Sequence, residues 1–109
     1  MSANGASVVL RPAVLPAIER GGGARTIHLV GPRIGAQAFM NGITSFEPGA
    51  AIPLHSHNCE ESVMVLEGEV LFEDEHGTHE LEAGDTTLVP AGLVHRFVNR
   101  GDRPMRRRA

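Results

Sequence analysis

The stretch Gly49-Ala50-Ala51-Ile52-Pro53-Leu54-His55-Ser56-His57-Asn58-Cys59-Glu60-Glu61-Ser62-Val63-Met64-Val65-Leu66-Glu67-Gly68 decides how this chain reads. His55 and His57 are separated by one residue. On a strand such residues project to the same face. Their Cα atoms would lie about 6.6 Å apart. Two imidazoles can converge from there on one ion, with bonds of roughly 2.0–2.1 Å. Glu61 has the same parity, but four residues of straight strand would carry it roughly 13 Å from His57. The backbone is therefore expected to bend at Asn58-Cys59, where asparagine tolerates the turn. Glu60 has the opposite parity and reads as a solvated charge.

A second framed stretch, Gly84 to Asn99, holds a third imidazole, His95. The turn Pro90-Ala91-Gly92 precedes it and fixes where its strand starts, so His95 must arrive from a neighbouring strand. Phe97 shares a face with His95, and Val63 and Val65 share the parity of Glu61. Val63, Val65 and Phe97 are expected to wall the same cavity. Neutral imidazole and carboxylate are the donors that divalent first-row metals take. The candidate ligands are thus His55, His57, Glu61 and His95, around one divalent transition metal.

Outward from these stretches the chain reads as short strands between glycine and proline turns. Thr26–Val30 and Ala36–Phe46 precede the first histidines, and Ile52–His57 and Glu61–Leu66 carry the candidate ligands. Val70–Asp74 and Thr78–Leu81 read as a hairpin about Glu75-His76-Gly77. Thr86–Val89 and Val94–Val98 are the last two. No stretch keeps a helical apolar period. This pattern predicts an all-β fold, an antiparallel sandwich or small barrel. Residues 1–24 read as an arm: Val8-Val9-Leu10 is a candidate strand, Pro12 and Pro16 interrupt the residues after it, and Gly21-Gly22-Gly23 marks a break. Residues 25–109 form the expected domain.

Composition sets outer bounds. A chain of 109 residues is one domain with one core. The formal charge of −3 is too mild to indicate a nucleic-acid or membrane partner. Every basic residue is arginine, and there is no tyrosine, which excludes a Schiff-base lysine and a tyrosine acid or base. The single cysteine, Cys59, forms no disulfide within the chain and points to a cytoplasmic setting. The N-terminus lacks the pattern of a signal peptide, and no apolar run is long enough to span a membrane.

Two motifs now carry a resemblance. Gly49-x5-His55-x-His57-x3-Glu61-x6-Gly68 resembles the first motif of the cupin family, and Gly84-x5-Pro90-x-Gly92-x2-His95-x3-Asn99 resembles the second. Both match at every framework position, and together they cover about half the chain. The resemblance implies a small single-domain cupin, a conical antiparallel β-barrel or jelly roll with a divalent metal inside, ligated by His55, His57, Glu61 and His95. The ending Arg106-Arg107-Arg108-Ala109 departs from small cupins that continue with another apolar strand. It reads as a basic tail, with the final strand short, supplied by a partner or lost.

Other residues read more plainly. Cys59 is a small residue at a bend; His76 and His79 are solvated beside a hairpin turn; His28 is structural. Gln37, Phe39, Met40 and Asn41 lie on a strand whose facing is unreadable, so one set of them would wall the pocket. Arg96 is expected to point away from it, and Arg33 to be solvated.

Four protein donors leave open positions on an octahedral ion, which suits Lewis-acid chemistry or O₂ activation. Mn, Fe, Ni, Cu and Zn all suit the donor set, and affinity alone does not choose among them. The leading expectation is an enzyme acting on a small oxygenated molecule such as an enediol, diketone, carboxylate or sugar acid, chelated through two oxygens. Dioxygenation comes first, with isomerisation and decarboxylation next, and the general base is unassigned. The alternative is a binding or sensor protein whose metal anchors a ligand without turnover. A metal that only stiffens the barrel is a third reading. Met64 and Leu66, on the outer parity, point to a homodimer.

Overall fold

The computed structural model describes residues 5–101 and the backbone of residues 105–108. Nine strands form there, most of them bounded by glycine turns. A six-stranded sheet takes β1 (Ile18–Gly21), β2 (Ala24–His28), β3 (Gly42–Phe46), β4 (Glu61–Glu67), β7 (Thr86–Val89) and β9 (Met105–Arg108). A three-stranded sheet takes β5 (Glu69–Asp74), β6 (Gly77–Glu82) and β8 (His95–Val98). All pairings are antiparallel, in the spatial orders β1-β2-β3-β9-β4-β7 and β6-β5-β8. The described residues contain no α-helix, only short 3₁₀ turns at Pro12–Val14 and Pro32–Ile34.

The two sheets face each other as a jelly roll, and period-2 alternation decides what lies between them. Phe46, Val63, Val65 and Val89 come inward from the larger sheet; Val70, Phe72 and Phe97 come from the smaller one. The rings of Phe72 and Phe97 lie 4.9 Å apart at the centre. Met64, between two buried valines, is 41% exposed on the outer face. The chain passes from one sheet to the other at Gly68, whose φ of 81° suits a residue without Cβ.

Several expected elements differ. Residues 5–10 contain no strand, so Val8-Val9-Leu10 is not one. The stretch read as an arm instead contributes β1, which pairs with β2. Thr26–Val30 shifts to Ala24–His28, and the strand expected over Ala36–Phe46 keeps only Gly42–Phe46. Gly31 and Pro32 open a turn before it, and Gly35 is left-handed. Ile52–His57 is not a continuous strand. Proline at 53 removes a donor, and the segment touches β8 through a single bridge, His55 to His95, with another from Ala51 just before it to Val98. The basic tail is no tail: Met105–Arg108 is a strand between β3 and β4. An arginine run lacks the apolar alternation by which strands are read. No helix among the described residues is long and apolar enough to cross a membrane.

Candidate metal centre

Backbone hydrogen bonds bring the two motifs together. His55 and His95 exchange both of theirs, at 3.1 and 2.9 Å, and the Gly92 amide donates to the His57 carbonyl at 2.7 Å. Gly49 and Asn99 close the far end, with the Gly49 amide donating to the Asn99 carbonyl at 2.7 Å. Asn99 is fully buried, and its amide Nδ2 donates to the Phe46 carbonyl at 3.1 Å. The framework residues of both motifs thus fix a His-bearing segment beside β8. The chain bends at Asn58 and Cys59 before β4 begins at Glu61, as the spacing requires.

Three imidazoles converge as a result. Ring centroids lie 4.5 Å apart for His55 and His95, 4.9 Å for His57 and His95, and 5.5 Å for His55 and His57. Their ligand atoms all lie within 4.8 Å of one another, so the three form a group able to hold a metal ion. Glu61 closes the group: its Oε1 is 3.3 Å from His95 Nε2 and 3.6 Å from His57 Nε2. A metal with bonds of about 2.1 Å places neighbouring donors about 3.0 Å apart and opposite ones about 4.2 Å apart. The two Glu61 contacts fall inside that span, and the 4.8 Å limit on the imidazole atoms is wider than it, so the rings would draw in slightly around an ion.

The hydrogen-bond pattern is independent support. Each Nδ1 lies against a backbone carbonyl: His55 against Pro53 at 3.0 Å, His57 against Cys59 at 3.2 Å and His95 against Leu93 at 2.8 Å. A carbonyl only accepts, so each Nδ1 carries the proton, and in the neutral ring Nε2 keeps its lone pair. Metal-binding histidines are oriented in this way. His57 Nε2, His95 Nε2 and Glu61 Oε1 are buried and have no hydrogen-bond partner. Buried polar atoms of this kind are costly unless something satisfies them, and a cation between them would.

The residues expected to wall the pocket do not line the cavity that reaches His57 and Glu61. Val63, Val65 and Phe97 are at most 2% exposed and belong to the core. Phe97 meets His95 edge-on, with centroids 6.2 Å apart. That cavity, of about 340 Å³, is lined by Arg20, Thr26, His28, Met40, Asn41 and Thr44, among others. Met40 and Asn41 line it from a loop, so strand alternation does not govern them. Phe39, beside them in sequence, is exposed. Glu60 lines the cavity without an ion pair among the described residues. Arg96 is held by Glu73 at 2.9 Å, and Cys59 is exposed. Arg33 borders a separate apolar cleft with Leu15, Ile18 and Ile34. Sequence reading left Arg20, Thr26 and Thr44 out altogether. Arg20 lay in the supposed arm, and the facing of the two threonines is set only by the pairing of β2 with β3.

The chain belongs to the cupin family: residues 42–107 match the Cupin_2 model, a cupin domain. It is 35% identical over 92 residues to the polyketide synthase CurC of Streptomyces cyaneus, covering 84% of this chain and 59% of CurC. It is 33% identical over 103 residues to the protein SchB of Streptomyces halstedii, covering 94% of this chain and 74% of SchB. Among solved structures, the polyketide cyclase RemF of Streptomyces resistomycificus superposes with a TM-score of 0.84 at 24% identity, over 94% of this chain and 77% of RemF. That likeness is one of fold. The chain thus spans 59% of the length of CurC.

Proposed function

We propose that the chain is a metal-dependent enzyme acting on a poly-β-carbonyl substrate, promoting cyclisation, with one divalent metal held by His55, His57, Glu61 and His95. The observation that carries the metal is the buried, unpartnered trio His57 Nε2, Glu61 Oε1 and His95 Nε2, facing one another. The relation to CurC, together with the fold shared with RemF, supports the substrate class.

A divalent ion bound there would polarise the oxygens of a β-dicarbonyl unit and make the carbon between them more acidic. The protein's own part is orientation. Backbone carbonyls hold the three rings in place, and Phe97 packs edge-on against His95 from the core. In an aldol cyclisation one carbon loses a proton and bonds to a carbonyl carbon, whose oxygen gains a proton; dehydration then releases water. No oxidant is consumed.

Dioxygenation of the same class of molecule is the second reading, because imidazoles with a carboxylate also suit iron(II) and O₂. A binding protein without turnover is the third. Metal analysis of the purified protein, followed by incubation with a linear triketone under air and under nitrogen, separates them. A cyclised product in both atmospheres, dependent on metal, supports the proposal. Oxygen uptake matched to substrate loss favours the dioxygenase. Substrate that binds and returns unchanged favours the binding protein.

A further inference from the structure

We propose that Arg20 recognises a carboxylate on the substrate, which makes the natural ligand a β-keto acid or a similar anionic carbonyl compound. This rests on the cavity being the substrate site. Arg20 follows Glu19, which pairs with Arg25 at 3.3 Å. Arg20 is the unpaired residue where the register of β1 shifts between Glu19 and Gly21, a bulge that re-aims a side chain, and it lines the cavity that reaches His57 and Glu61. Its Nη1 donates to Thr26 Oγ1 at 3.0 Å, and Thr26 shares a hydrogen bond of 3.0 Å with Thr44. Both threonines are 5% exposed, so the anchor of the guanidinium is fixed.

That anchor uses one of five N–H donors. Arg25, Arg96 and Arg100 each face a carboxylate, at 3.3, 2.9 and 3.2 Å. Arg20 has no such partner among the described residues. A guanidinium held on one side and open on the other matches the two oxygens of a carboxylate. The charges in the cavity are divided to suit such a ligand. β1 to β3 supply Arg20, Thr26, His28 and Thr44, while Glu60 and Glu61 enter from the start of β4 and the residue before it. An anionic group is drawn to the Arg20 side, leaving its carbonyl oxygens for the side of the donors.

Binding of benzoylacetate and of its methyl ester, measured by calorimetry on metal-free and zinc-loaded protein, tests the assignment. Arg20→Gln should weaken benzoylacetate binding about tenfold and leave the ester within twofold, in both forms of the protein. Arg20→Lys should fall between. Matching circular dichroism and melting temperature establish that the variants fold. Unchanged benzoylacetate affinity in Arg20→Gln overturns the assignment, as does an equal loss for acid and ester. If the acid preference appears without metal while zinc adds nothing for either probe, Arg20 stands and the metal-dependent reading fails.

Discussion

His55, His57 and His95 each give Nδ1 to a backbone carbonyl two residues away, Pro53, Cys59 and Leu93. The rings are therefore positioned by their own local backbone before any ion arrives. Replacing His57 with alanine removes one donor from a partly exposed position and should lower metal content clearly, read as moles of metal per chain by plasma emission. Unchanged stoichiometry in a folded His57→Ala protein would reject the site. Glu61→Gln keeps the shape of the side chain and removes its charge, and should weaken metal binding in a chelator competition. These positions were legible in sequence because their chemistry and spacing are local: two histidines one residue apart, and a glutamate past a bend. The cavity's far wall was not. Arg20, Thr26 and Thr44 reach it only through the register of β1, β2 and β3, which pairs residues distant in sequence.

At the level of elements, strands bounded by clear turns were readable: β4, β7 and the β5–β6 hairpin fall where alternation and turn residues put them. Three elements were not. β1 hides before a glycine run, the segment 52–57 has the composition of a strand but only an isolated bridge, and β9 is mostly arginine. Packing makes two element-scale predictions. A Cβ at Gly42 would lie 2.7 Å from the Ile27 carbonyl oxygen, a backbone atom that cannot swing aside. Gly42→Ala should therefore destabilise the β2–β3 pair by about 1–3 kcal/mol, the scale of overpacking, seen as a lower urea midpoint. Phe97→Ala would open a hole between the sheets beside Phe72 and His95. It should cost about 3–5 kcal/mol in the same measurement.

For the whole molecule, the metal and the outer face matter most. An ion bound by the folded chain alone stabilises it by mass action, about 2.7 kcal/mol at a hundredfold excess over its dissociation constant. Chelation should lower the melting temperature in a scanning-calorimetry experiment, and zinc should restore it. Met64 is 41% and Leu88 66% exposed, and both point outward from neighbouring strands of the large sheet. A homodimer that covers them is the expected assembly, and light scattering at micromolar concentration should give the mass of two chains. The mass of a single chain would contradict it. Which face is outer is set by the alternation of β4 and was readable in sequence; the exposure of Leu88 required the pairing of Ser62 with Leu88.

The position of β9 has a kinetic consequence. It pairs Phe46 with Met105 on one side and Met64 with Arg108 on the other, so the middle of the large sheet is closed by residues far along the chain from β3. Contacts of such long sequence separation form slowly. Until they form, β3 and β4 flank an open slot with two unsatisfied edges, and the β9 segment of another molecule fits it as well as the chain's own. Refolding should then be a race between closure within one chain and exchange between chains. Its yield should rise on dilution, with strand-swapped dimers accumulating when the protein is refolded concentrated.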